Sequence, residues 1–201
     1  MATRQPATKN RTPILLVIVF IGGFLAGVAF TAYKMSGTAT PTATGDQVAQ
    51  QIPKEQADAI AQLESAVTGQ PNDYQSWIRL GHLYFDTHQP EKAIQAYNRS
   101  IELHPPDANL LTDLGVMYRN TGQKEKAIES FDRARQLDPK HEPSRLNKGI
   151  VLLFDHNDPQ GAIASWEELL RLNPEAKMTD GTGVRQFIDQ LQKDLAKQSG
   201  K

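Results

Sequence analysis

The chain has 201 residues, no cysteine, and 22 basic against 23 acidic side chains, for a net charge of −1. That length allows one modest domain with appendages, and the missing cysteine excludes disulfides, thiolate metal sites, a lipidated cysteine and cysteine catalysis while leaving the redox compartment open. Residues 1–34 hold four bases and no acid, so residues 35–201 carry 18 bases against 23 acids; without a basic stripe interleaved with aromatic residues, this part has nothing with which to gather the phosphates of a nucleic acid.

Residues 1–12 form a short tail with Arg4, Lys9 and Arg11. Residues 14–32, ILLVIVFIGGFLAGVAFTA, contain no charge, and about 20 such residues in a helix cross the ~30 Å hydrocarbon layer of a membrane. A transmembrane helix is therefore expected over 13–33. It is expected to be retained, because a cleaved signal peptide has a shorter apolar region of ~7–15 residues and a clear small-residue cleavage site, for which Gly37-Thr38-Ala39 is a poor candidate. Three bases precede the span and one follows closely, which places the tail in the cytoplasm and everything after Tyr33 on the far side, in a bacterium the periplasm of an inner-membrane protein. Gly23 and Gly27 are spaced as in paired membrane helices, but glycine is common in such helices anyway. Residues 34–53 follow, with SGTATPTATGD at 36–46 too polar and too weakly patterned to pack, and read as a flexible tether.

From residue 54 onward the chain repeats. ELHP, QLDP and RLNP end at Pro105, Pro139 and Pro174, and TGQP ends at Pro71, with spacings of 34, 34 and 35 residues. A structural repeat returns its small and large residues at fixed offsets. Counted from Tyr74, Trp77, Leu80, Gly81, Tyr84, Ala93, Tyr97, Ser100 and Pro105 occupy eight key places. Counted from Ala108 the same places hold Leu111, Leu114, Gly115, Tyr118, Ala127, Phe131, Ala134 and Pro139. A unit from Glu142 has Gly149 and Leu152 and, after one inserted residue, Ala162, Trp166, Leu169 and Pro174. Apolar residues at three- and four-residue steps give each segment one buried helical face, so each unit is a helical hairpin. Its turn is marked by His88-Gln89-Pro90, by Gly122 or by Asp158-Pro159. The closing prolines end the second helices, and Asn72 with Gln75, and Asp107, are expected to cap the helices that follow.

The expected architecture is all-α. A half-repeat covers 54–72, repeats cover 74–107, 108–141 and 142–176, and a capping helix over 183–197 presents Val184, Phe187, Ile188, Leu191 and Leu195 as its apolar stripe. The GTG at 181–183 has no following Lys-Ser/Thr and no preceding strand, so it is a helix start and not a phosphate loop.

These residues resemble the tetratricopeptide repeat, whose W-x2-L-G-x2-Y…A-x3-F…P pattern residues 74–105 match almost completely. The third unit departs from it, with Arg145 and Lys148 where Trp or Leu and Leu are expected, which leaves the packing of its first helix open.

No chemistry-bearing constellation accompanies the repeats. By register His88, His104, His141 and His156 fall in turns and only His82 lies in a helix, so no metal-ligand pair forms and the turn histidines read as surface residues. No nucleophile elbow or nucleotide motif is present, and Glu125, Glu129, Glu167 and Glu168 alternate with bases as on a solvated helix face. Asn98-Arg99-Ser100 matches a glycosylation acceptor but falls mid-helix. No catalytic residue, metal, cofactor or small-molecule substrate is expected.

The resemblance implies a binding surface. In this family the first helix of each pair lines a concave face and holds a peptide or partner helix through its second, fifth, sixth, ninth and twelfth positions. Those places hold Gln75, Ile78, Arg79, His82 and Phe85 in the first unit. The second contributes Asn109, Thr112, Asp113, Val116 and Arg119, and the third Leu146, Asn147, Ile150 and Leu153. Members that grip the C-terminal carboxylate of heat-shock chaperones use bases and asparagines where this chain has Ile78, His82, Asp113, Pro143 and Asn147, so no such clamp is expected. The layout of anchor, tether, half-repeat, three repeats and cap resembles the periplasmic repeat subunits of bacterial cytochrome c maturation systems, which implies apocytochrome c and a membrane haem-attachment complex as partners. A general envelope scaffold that binds folded partners or self-associates is the alternative.

Overall fold

The computed structural model describes residues 52–199. The expected tail, membrane span and most of the tether lie outside the described residues. No helix among the described residues is long and apolar enough to cross a membrane. The described part is helical: α1 Lys54–Gly69, α2 Tyr74–Asp86, α3 Pro90–Leu103, α4 Ala108–Asn120, α5 Lys124–Leu137, α6 Glu142–Phe154, α7 Pro159–Leu172 and α8 Val184–Ser199.

Local chemistry starts and stops these helices. Asp107 and Asp158 accept hydrogen bonds from the backbone N–H groups of Leu110 and Gly161, satisfying donors that a helix start leaves open. At α2 the capping carboxylate is Asp73, which accepts from the Gln75 N–H; the cap lies one residue beyond the expected Asn72. The three hairpins turn through His88, Gly122 and Asn157, each in the left-handed region with φ of 56°, 74° and 54°. Glycine and asparagine adopt that region at low steric cost.

Inside each hairpin an aromatic ring of the second helix lies over a glycine of the first. A methyl group added at Gly81 would strike the Tyr97 ring, at Gly115 the Phe131 ring at 2.5 Å, and at Gly149 the indole of Trp166. Ala93, Ala127 and Ala162, one turn before those aromatics, are fully buried. Close helix approach and a large ring thus fill one volume together.

The third hairpin explains its own departure from the pattern. Arg145 is only 8% exposed, and its guanidinium donates to the carbonyls of His141 at 2.9 Å and Pro139 at 2.8 Å. Lys148 reaches both Asp132 oxygens at 2.7 and 2.8 Å. Arg135 joins Glu168 at 2.8 Å and Asp132 at 3.4 Å, and Arg145 Nε lies 3.6 Å from Glu168. Arg145 and Lys148 stand where the preceding unit buries Leu111 and Leu114, with their acidic partners on α5 and α7. Their aliphatic stems still cover apolar surface while the heads pair.

Both ends are covered. Ile60 and Val67 of α1 bury against the first hairpin, and Glu64 accepts a short hydrogen bond from the Tyr84 hydroxyl. Leu63 packs against the same cluster, while Gln62 and Ala66 are exposed. At the other end Val184 and Ile188 are buried and Phe187 meets Trp166 edge to face, with centroids 5.3 Å apart. The turn into α8 is a small hairpin, with Met178 N–H donating to Thr182 O and Val184 N–H to Ala176 O.

Candidate functional site

The backbones of successive first helices approach closely, α2 with α4 and α4 with α6, whereas among the described residues those of the successive second helices α3, α5 and α7 stay apart, with α5 and α7 bridged by the long side chains of Arg135 and Glu168. The stack therefore closes up on the first-helix side, and that side is concave. It is lined by the helices on which the candidate binding residues lie.

From α2, Gln75 and Arg79 are exposed and Ile78 and Phe85 half-buried. His82 Nε2 stands 3.5 Å from Asp113 Oδ2 on α4, and its ring meets Tyr97 edge-on at 5.6 Å. The hydrogen bond to Asp113 holds the imidazole's proton affinity above its ordinary value, with burial opposing. From α4, Asp113 and Val116 are half-buried, while Thr112 is not on the surface: it is 5% exposed and its hydroxyl donates to Ala108 O at 2.8 Å. The fifth position of that helix is buried, which removes Thr112 from the candidate set.

Arg119 is engaged as well. Its Nε donates to Asp155 Oδ2 at 2.6 Å, tying the end of α4 to the end of α6. From α6, Leu146, Ile150 and Leu153 pack beside the apolar cluster that includes α8's Val184 and Ile188. Asn147 donates to Pro143 O at 2.9 Å. Phe154, which follows Leu153, is 53% exposed.

The histidine reading needs one correction. His141 is buried at 8% exposure, not a surface turn residue. Its ring caps α6, with Nδ1 accepting from the Ser144 N–H at 3.3 Å, and its Nε2 lies 3.0 Å from Asn109 Oδ1. Sequence reasoning missed it and Asp155 because their partners lie 32 and 36 residues away. The only available signal was that His141 stands directly before a helix start, in a capping position. His104 stacks on Tyr74 with centroids 4.2 Å apart. Asn98, the formal glycosylation acceptor, donates to the Tyr118 hydroxyl. Among the described residues no group of three or more metal-ligating side chains occurs.

A family model described as the tetratricopeptide repeat matches residues 56–108 and 78–142. Those residues are tetratricopeptide repeats, and the described residues form an all-helical solenoid of that class. Among solved structures, a crystal structure of MamA is 18% identical with a TM-score of 0.60, over 81% of this chain and 100% of that one. The Arabidopsis OM64 TPR domain is 18% identical with a TM-score of 0.53, over 60% of this chain and 95% of that one. The first TPR of Spaghetti (RPAP3), bound to the HSP90 peptide SRMEEVD, is 18% identical with a TM-score of 0.53, over 61% and 93%. At such identities the likeness is one of fold. No curated protein sequence matches the chain.

Proposed function

We propose that this chain is a membrane-anchored interaction module whose concave face, in the periplasm, holds a peptide or helix of a partner protein, and that the partner is apocytochrome c awaiting haem attachment. The observation that carries the reading is the lining of that face. Ile78, Phe85, Val116, Ile150 and Leu153 are half-buried, and Phe154 is exposed at the end of α6. Such a surface fits the apolar stripe of an amphipathic helix or the aromatic anchors of an extended peptide.

The positions that clamp a chaperone tail in other family members hold Ile78, His82, Asp113, Pro143 and Asn147. His82 is already paired with Asp113, so two carboxylates of an incoming chain terminus would meet no cluster of free bases. The apolar run 14–32 and the bases before it support an anchor with the repeats on the far side of the membrane. A tether of about 20 residues then keeps the module at high effective concentration near a membrane enzyme. The order of anchor, tether, half-repeat, repeats and cap supports the cytochrome assignment through the likeness to maturation subunits.

The test is a titration of the full chain in nanodiscs with the C-terminal helix peptide of an apocytochrome c and, separately, with the same cytochrome folded around its haem. Binding of the unfolded form alone is expected. Equal binding of both, or of neither, overturns the assignment and leaves an envelope scaffold that binds folded partners or itself. A reporter fused to the C-terminus reads the orientation independently.

A further inference from the structure

The start of α6 sets a hydrogen-bond polarity that runs across the stack to the concave face. A backbone N–H can only donate, and that of Ser144 points at His141 Nδ1 at 3.3 Å. Nδ1 must then be an unprotonated acceptor, which puts the ring's hydrogen on Nε2. Nε2 lies 3.0 Å from the side chain of Asn109, so the ring donates and the amide must answer with its oxygen. The two Nδ2 hydrogens of Asn109 are thereby turned away from His141. Asn109 is exposed, at the second position of α4, one of the three helices that line the groove.

We propose that His141 is a positioning residue: by capping α6 with Nδ1 and donating from Nε2, it holds Asn109 with its amide donors free, so that this point of the groove receives a hydrogen-bond acceptor such as a peptide carbonyl, and acid releases the arrangement. The meaning of the donors rests on the concave face being the ligand site. The polarity itself is readable without any ligand.

The acid sensitivity follows from the same geometry. Protonating Nδ1 removes the cap and places a positive charge at the positive end of the helix dipole. Burial lowers the ring's proton affinity below its ordinary 6.5, and Arg145 on α6 acts in the same direction. Asp138 in the preceding turn, and Asp107 and Asp113 at the cap and in the body of α4, oppose it. With the folded value below the unfolded one, the neutral ring's contribution is complete above about 6.5 and is lost as pH falls through the folded value.

The experiment is nitrogen-15 NMR of the full chain in detergent micelles, labelled at histidine and asparagine. The His141 signals are assigned by their loss in His141→Asn, and the Asn109 amide by its loss in Asn109→Asp. At pH 7.5 the Nε2–H tautomer is expected, with a titration midpoint below 6.5 and an Asn109 amide signal that shifts with the same midpoint. His141→Asn keeps a capping amide but is too short to reach α4, so the protein stays folded while the Asn109 signal stops titrating. Asn109→Asp keeps an acceptor for Nε2–H, so the tautomer persists and the His141 midpoint moves up. A hydrogen on Nδ1, or an Asn109 amide indifferent both to pH and to His141→Asn, overturns the proposal. Because no ligand is present, failure of the apocytochrome titration and failure of this inference are separate results.

Discussion

Trp77 and Arg145 make the same hydrogen bond with different chemistry: the indole N–H of Trp77 donates to Pro71 O at 3.0 Å, and the guanidinium of Arg145 donates to Pro139 O at 2.8 Å. Both residues stand fourth in their units, and both prolines close the preceding second helix six residues earlier. A long donor at the fourth place satisfies the carbonyl left open where the chain bends between repeats. Arg145 is thus a substitute for the repeat's tryptophan, with charge partners supplied by α7.

Removing that donor tests the substitution. Arg145→Leu is expected to destabilise the fold by about 1–3 kcal/mol, because it leaves the Pro139 carbonyl without its donor and takes one of two donors from His141 O, which keeps the Ser144 hydroxyl. Arg145→Trp should recover part of the loss by restoring the bond to Pro139. Urea denaturation of the three proteins measures this, and a leucine variant as stable as the parent would contradict it.

The aromatic-on-glycine seat gives a second prediction. Gly115→Ala places a methyl carbon 2.5 Å from the Phe131 ring, and overpacking of that kind costs about 1–3 kcal/mol. Alanine's better helix propensity returns at most about 1 kcal/mol. A lower denaturation midpoint is expected, recovered in part by pairing Gly115→Ala with Phe131→Leu.

The His82–Asp113 pair has the opposite pH sign to His141. Its folded proton affinity is raised, so its contribution is fully present below the unfolded value of about 6.5 and is lost as pH rises through the folded value. His82→Gln is expected to flatten that part of the stability-against-pH curve, read as thermal midpoints from pH 5.5 to 8. A curve unchanged in shape would show that the pair contributes nothing.

On the concave face, Val116→Asp puts a charge in the middle of the apolar lining, where Asp113 is one turn away. Apocytochrome peptide affinity is expected to fall at least about tenfold, as for a desolvated anchor position. Glu129→Gln, on the exposed side of α5, serves as the control with unchanged affinity. Equal affinity in all three proteins would remove the concave face from the binding reaction.

Much of this molecule is written locally in its residues. Helix faces follow from apolar steps of three and four, hairpin turns from His88-Gln89-Pro90, Gly122 and Asp158-Pro159, and the glycine and aromatic seats from a count of 34. Each depends on neighbours within about one helical hairpin, so periodicity and turn chemistry suffice to read them. The apolar run 14–32 is equally plain as composition.

What the tertiary structure alone decided are the links between hairpins. Thr112 turns inward, Arg119 is held by Asp155, His141 is buried against Asn109, and Arg145 and Lys148 join a charged ladder with Asp132, Arg135 and Glu168. These outcomes depend on how far one hairpin rotates on the next. That rotation is fixed by the volumes packed between them, and a pattern common to every repeat carries no record of it.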